Sequence, residues 1–315
     1  MTRSALRPDA TAFLAAAPDV DAMLGTVPLA QMRGMEPAMR DRLDVPVGQL
    51  AVNREVTADT EAGQVPVRLF DSRQTRPAGP MMVFFHGGGF WGGSSEYHAP
   101  FCAEAARVLD MAVVGVDYRL APEDPFPAAV EDCEAAARWI ASDPQVLERT
   151  ATELIMCGDS TGGTMAIVTT MALRDKPAAR PVRAQHLLYP TTDMSRSYPS
   201  REEFGTGYVL TAKVIDYVSG LYAADVDDWR ASPLLGDQAD MPPSVVVTAS
   251  HDPLRDEGRA YAAKLVEAGV PTIFHEVTGN IHGFISMRKA IPSSQDDVAA
   301  GFAALKALLG TGGSY

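Results

Sequence analysis

Cysteine is scarce in this sequence: Cys102, Cys133 and Cys157 are the only three among 315 residues, no two form a C-x-x-C pair, and all lie in apolar or helical stretches. Neither a disulfide framework nor a zinc site is implied, and a reducing compartment fits best. Long apolar runs are missing as well, since none approaches the roughly 18 residues of a membrane span. Arg3, Arg7 and the short run Phe13–Ala17 have the outline of a signal peptide, but Pro8 and Asp9 interrupt it, so a cytoplasmic protein is expected. Positive charge is in deficit, with 27 Lys and Arg against 40 Asp and Glu and a formal net charge of −13. That balance argues against nucleic acid, anionic membrane surfaces and acidic substrates as partners. Internal repeats and low-complexity blocks are absent.

What is present is a chain 46% hydrophobic and 21% charged, long enough for one large α/β domain with a small accessory lobe. Residues 1–45 read as helical pieces punctuated by Pro8, Pro18, Pro28 and Pro37. With Met23, Met32, Met35 and Met39, they offer adaptable faces that need something to cover. Leu50–Thr57 and Gln64–Asp71 alternate with period two around Ala62-Gly63, the mark of an antiparallel hairpin. From residue 81, short apolar strands alternate with helical windows: Met81–Phe85, Ala112–Asp117, Glu153–Cys157, Ala184–Tyr189, Ser244–Ala249 and Thr272–Val277. This pattern predicts a mostly parallel, doubly wound sheet. An insertion at 195–232, with one helical window over Thr211–Ala224, is expected to join the N-terminal segment as a lid.

The organising stretch is Leu154–Gly163, LIMCGDSTGG, in which Gly158-Asp159-Ser160-Thr161-Gly162 follows a strand and precedes an apolar helix. A Gly-x-Ser-x-Gly turn at that junction forces the serine into a strained conformation and exposes its hydroxyl at the strand end. Taken alone, it is equally a Gly-rich turn with a solvated serine.

After the strand at Met81–Phe85 comes His86-Gly87-Gly88-Gly89-Phe90-Trp91-Gly92-Gly93. It reads either as a backbone N–H donor loop for a developing oxyanion or, through Gly87, Gly89 and Gly92 with Asp117 ending the next strand, as a dinucleotide fingerprint. Trp91 and the run Gly92-Gly93-Ser94-Ser95 postpone the next helix to about Tyr97, so no helix N-terminus would face a pyrophosphate. Asp117 starts a charged and aromatic corner, Asp117–Glu123, able to lock the loop locally.

A serine nucleophile needs a base and an orienting carboxylate. Of the six histidines, His86 opens the glycine loop, His98 approaches a helix, and His186 and His275 fall in strand patterns. His251 adjoins the likeliest acid and cannot easily face it. His282 lies in a loop directly after the last strand, where such sheets place chemistry. Asp252 directly follows Ser244–Ala249; its rival Asp256 falls in the helix that Pro253 starts, where a carboxylate simply favours the macrodipole. The order Ser160, Asp252, His282 is that of α/β-hydrolases.

His86–Gly89, Tyr118–Glu123, Gly158–Gly163, Asp252-Pro253-Leu254 and His282-Gly283-Phe284 together resemble the hormone-sensitive lipase family, the bacterial family IV carboxylesterases. The resemblance runs from the hairpin to the last helix. It implies an α/β-hydrolase fold and hydrolysis of carboxylic esters, usually short-chain, without a cofactor or metal. Ser160 is then the nucleophile, His282 the base and Asp252 its orienter, with Gly87, Gly88 and Thr161 donating oxyanion N–H groups. A cap from residues 1–45 and 195–232 over a catalytic domain of 46–194 and 233–315, and a homodimer through the last strand, are implied as well. Phe90, Trp91, Tyr208 and Phe284 are candidate pocket walls. Family members usually carry alanine after the nucleophile, where this sequence has Thr161. An amidase or formamidase stays open on the same triad, and an NAD-dependent oxidoreductase on the Gly87–Gly92 loop is the remaining alternative.

Overall fold

The computed structural model describes residues 4–310; Arg3 and the outer ends of the terminal segments, 1–3 and 311–315, lie outside the described residues. The alternating stretches form an antiparallel hairpin of β1 (Val52–Thr60) and β2 (Gly63–Asp71), with Val56 opposite Val67 and Thr60 opposite Gly63. The apolar runs become β3 (Gly79–Phe85), β4 (Ala112–Val116), β5 (Ala151–Asp159), β6 (Val182–Leu188), β7 (Ser244–His251) and β8 (Thr272–Ile281). One eight-stranded sheet results, in the order β1-β2-β4-β3-β5-β6-β7-β8. It is parallel from β4 to β8 and antiparallel where β1 meets β2 and β2 meets β4.

Helices follow the same punctuation. The N-terminal segment holds α1 (Pro8–Ala16), α2 (Val20–Met23), α3 (Leu29–Gly34) and α4 (Glu36–Leu43), of which α1 and α4 carry proline in the first turn, where its missing N–H costs nothing. Then come α5 (Ala99–Val108), α6 (Ala128–Ala141) and α7 (Thr161–Asp175). The insertion contains α8 (Pro199–Glu203) and α9 (Ala212–Tyr222), and α10 (Arg255–Glu267) and α11 (Ser294–Leu309) complete the chain. The short, charged α8 carries no apolar period and escapes a sequence reading.

Strand alternation sorts the core into two layers. Met81, Val83 and Phe85 of β3 join one cluster with residues of α6, α7 and α10, while Met82 and Phe84 join a second with residues of α5 and α11. Helices therefore cover both faces, and each fully buried Val, Leu or Phe contributes about 1.5–3 kcal/mol relative to exposure. Strands β5, β7 and β8 outrun their apolar stretches because the parallel ladder continues: Asp159 pairs with Leu188 and His251 with Ile281. Since β3, β5, β7 and β8 are parallel, the segments after them emerge at one edge of the sheet, where open α/β sheets bind ligands.

Candidate active site

Ser160 sits between β5 and α7 at φ 54°, ψ −122°, a region sparsely populated by residues with a side chain. The two flanking glycines are required by close approach. A Cβ on Gly158 would stand 2.1 Å from the Gly162 carbonyl oxygen, and one on Gly162 would stand 2.0 Å from the Phe85 carbonyl oxygen. The turn is anchored by Ser160 N–H donating to the Leu188 carbonyl (2.9 Å) and by Thr191 N–H donating to the Ser160 carbonyl (3.1 Å).

His282 follows β8, with Nε2 2.9 Å from Ser160 Oγ and Nδ1 2.7 Å from Asp252 Oδ2. A carboxylate only accepts, so Nδ1 carries the proton and Nε2 is left to accept from the serine hydroxyl. Tyr189 lies against the imidazole, with ring centroids 4.7 Å apart. Asp252 is fully buried and its other oxygen accepts from Leu254 N–H at 2.8 Å, which fixes the carboxylate in place.

The remaining carboxylate and histidines are otherwise engaged. Asp256 accepts from Ser200 N–H (3.0 Å) and pairs with Arg255 and Arg259, tying α10 to the insertion. His86 Nδ1 meets the Gly87 carbonyl at 2.9 Å, and burial lowers its pKa. His98 lies 3.3 Å from Asp159, and His186 is buried on β6, where desolvation pulls its pKa down to about 4. Ser250 Oγ lies 2.9 Å from His251 Nδ1, and His275 stands on β8.

The glycine loop corrects one expectation. Gly87 N–H is spent on Asp159 Oδ1, at 2.7 Å, so it cannot serve an oxyanion in this arrangement. Among the described residues no protein acceptor meets the amides of Gly88, Gly89 or Thr161, the last being the first residue of α7, where N–H groups have no intrahelical partner. Gly89 was missed because a sequence does not reveal which amides in a glycine run are already satisfied. The loop closes on itself through Gly92 N–H to the Gly88 carbonyl (3.0 Å), and Gly88 has φ 134°. Asp117 receives Ser95 N–H at 2.5 Å and Ser95 Oγ–H at 2.6 Å, and α5 begins only at Ala99, so neither feature has the dinucleotide arrangement.

Two of the four expected pocket walls are core residues. Phe284 has no exposed surface and packs against Tyr189, centroids 5.1 Å apart, in the α5/α11 layer. Phe90 is 2% exposed and stacks on Tyr222 at 3.7 Å. Trp91 and Tyr208 keep part of their surface, with Tyr208 against Phe204 and His251. Among the described residues, no group of three or more His, Cys, Asp or Glu is arranged to hold a metal, and no helix is long and apolar enough to cross a membrane.

Residues 82–286 match a family model described as the alpha/beta hydrolase fold. The chain is 35% identical over 266 residues to esterase LipI of Mycobacterium tuberculosis, across 81% of this chain and 82% of that one. It is 36% identical over 238 residues to the ethyl acetate hydrolase of Pseudomonas putida, across 74% and 75%. Among solved structures, a variant of an alpha/beta hydrolase enzyme from the metagenome of Lake Arreo, Spain, is similar with a TM-score of 0.88 at 34% identity, over 97% of this chain and 99% of that one. An esterase of Pyrobaculum calidifontis gives 0.87 at 32% identity, over 96% and 99%.

Proposed function

This chain belongs to the α/β-hydrolase superfamily as a family IV carboxylesterase that hydrolyses carboxylic esters, and from that premise we propose that Ser160, His282 and Asp252 are its catalytic triad and that short acyl esters are its substrates. The observation that carries the reading is the unbroken chain from Ser160 Oγ through both imidazole nitrogens to Asp252 Oδ2, at 2.9 and 2.7 Å.

Ser160 Oγ attacks the ester carbonyl carbon while His282 Nε2 takes its proton, and Asp252 holds the resulting imidazolium in orientation. The oxyanion is met by the Gly88, Gly89 and Thr161 amides, which have no protein acceptor among the described residues, whereas Gly87 N–H is held by Asp159. Alcohol leaves with the proton from His282, and water then attacks the acyl-enzyme through the same base.

Residues 1–45 and 195–232 act as a cap over the catalytic domain of 46–194 and 233–315. Thr211 Oγ–H donating to Asp21 Oδ1 at 2.5 Å supports this, because it joins the two segments. Beneath such a cap, Trp91 and Tyr208 limit the acyl group, each extra methylene adding up to about 0.8 kcal/mol until the wall is met. A homodimer pairing through the β8 edge, where Phe274 is 43% exposed, belongs to the same reading. So does a cytoplasmic location without nucleic-acid partners, supported by three buried free thiols and the net charge of −13.

The test is a series of p-nitrophenyl esters from acetate to palmitate, with aryl amides alongside and Ser160→Ala as control. Turnover should peak at short chains and vanish in the variant. An optimum at long acyl chains would reject the cap reading, and faster amide than ester cleavage would reassign the substrate class.

A further inference from the structure

Asp159 is a buried carboxylate that the hydrolysis steps above do not use, although it directly precedes the nucleophile. One of its oxygens accepts Gly87 N–H at 2.7 Å, and its other oxygen lies 3.4 Å from the Tyr189 hydroxyl. The Gly87 carbonyl is held in turn by His86 Nδ1 at 2.9 Å, and the His86 carbonyl accepts the Tyr118 hydroxyl at 2.6 Å. Gly87 is thus fixed at both its amide and its carbonyl, immediately before the two amides left free. A Cβ on Gly87 would come within 2.6 Å of Asp159 Oδ2, so the carboxylate also sets how closely the loop approaches the elbow.

A bare carboxylate so near Ser160 would repel the negative charge that develops on the ester oxygen. His98 removes that conflict. Its Nδ1 faces the Ser94 carbonyl at 3.1 Å and its Nε2 faces Asp159 Oδ1 at 3.3 Å. Both neighbours only accept, so this setting favours a proton on each ring nitrogen and with it the cationic ring. The directions agree: burial pushes His98 down but the Asp159 charge overcomes it, and burial pushes Asp159 up but the His98 cation and the Gly87 N–H overcome it. Glu36 and Asp117 are the other acidic neighbours of the histidine pair, and burial holds His86 below the usual histidine range.

We propose that Asp159, charge-balanced by a cationic His98, is a positioning residue that fixes the glycine loop so that the Gly88 and Gly89 amides meet the ester oxyanion. Asp159 touches no substrate; it acts through Gly87. The proposal rests on the triad reading above, and the experiment keeps the two apart.

Asp159→Asn, His98→Gln and the double variant are compared with the wild type for p-nitrophenyl acetate kinetics, thermal midpoint and inhibition by an aryl trifluoromethyl ketone. That probe takes Ser160 Oγ onto its carbonyl carbon, passes the proton to His282 and places a negative oxygen in the hole. Asp159→Asn should lower kcat at least about tenfold with KM changed less than about threefold, a loss smaller than the 10²–10³ of deleting a donor outright. Ketone affinity should fall by the same factor as kcat/KM. His98→Gln, which leaves the carboxylate unbalanced, should lose more than Asp159→Asn, and the double variant should recover to the Asp159→Asn level. Asp159→Asn with kcat within about twofold of wild type, or ketone affinity that does not follow kcat/KM, overturns the proposal. Single-variant losses that simply multiply in the double variant overturn the charge balance. If Ser160→Ala still hydrolyses the ester, the triad reading itself fails, whatever Asp159→Asn does. Should His98→Gln not fold, the Asp159→Asn kinetics and ketone affinity decide alone.

Discussion

Asp252 Oδ2 lies 2.7 Å from His282 Nδ1, whereas Asp256, four residues on, turns its carboxylate to Ser200, Arg255 and Arg259. The two acids share one short stretch of sequence, yet one meets His282 and the other links α10 to the insertion.

Their substitutions should therefore separate. Ser160→Ala and His282→Ala should each abolish turnover with the fold intact, since triad members act as a unit. Asp252→Asn should lose on the order of 10⁴ in kcat through the wrong histidine tautomer, the loss known for the equivalent change in a serine protease. Asp256→Asn should keep kcat within about threefold and lower the melting temperature. Steady-state kinetics with melting curves decide this; a larger kinetic loss from Asp256→Asn would reassign the acid.

At Thr161 the amide is supplied by any residue but proline, so the side chain is what distinguishes this enzyme. Its Oγ1 is buried on the side of the Tyr118 hydroxyl, whose raised pKa it opposes, and its β-branched side chain is stiff in χ1. Thr161→Val, which replaces the buried hydroxyl by a methyl, should change stability by less than about 1 kcal/mol, because the Tyr118 hydroxyl keeps its bond to the His86 carbonyl. Thr161→Ala should change acetate turnover less than about tenfold and improve isobutyrate relative to acetate. A hundredfold loss on acetate in both variants would instead make the hydroxyl part of the oxyanion hole.

The N-terminal segment grips the glycine loop from its outer side. Arg33 Nε donates to the Trp91 carbonyl at 2.6 Å, Arg33 Nη2 to the Ala121 carbonyl at 2.8 Å, and Glu36 Oε1 accepts Gly93 N–H at 2.7 Å. Arg33→Ala should cut kcat/KM about three- to tenfold by loosening the loop. Glu123 also pairs with Arg33, but it is exposed, and exposed pairs contribute little. Glu123→Gln should thus stay within about twofold in kinetics and about 1 °C in melting; equal losses from both variants would show that the ion pair, not the carbonyl contacts, does the holding.

Glu257 on α10 gives the protein a pH-dependent stability. Burial pushes its pKa up to about 8, opposed by the Thr192 and Asp193 N–H groups that it accepts and assisted by the charges of Asp252 and Asp193. The unfolded chain releases this proton near the ordinary glutamate value of 4.5, while the folded chain keeps it to about 8. Between those values the native state binds one proton more, so this group makes stability fall as pH rises, and its effect levels off above about 8. Melting curves at pH 5 and pH 9 should show a smaller drop for Glu257→Gln than for wild type, by at least about 2 °C. Parallel drops would mean that Glu257 ionises with an ordinary affinity.

Much of this was legible in the chain. Apolar runs alternating with helical windows specified the parallel sheet, and glycines flanking Ser160 marked the elbow, because both are local: strand period, helix period and backbone freedom act over a few residues. The order of Ser160, Asp252 and His282 marked their strand ends for the same reason. What the tertiary structure decided is which polar groups meet across long separations. Gly87 and Asp159 stand 72 residues apart in sequence, and only their contact shows that the first glycine amide is occupied and the second and third are free. Phe284 follows His282 by two residues, yet it is fully buried in the α5/α11 layer. A side chain's environment and a buried donor's partner are set by packing among distant elements, and no local pattern encodes them.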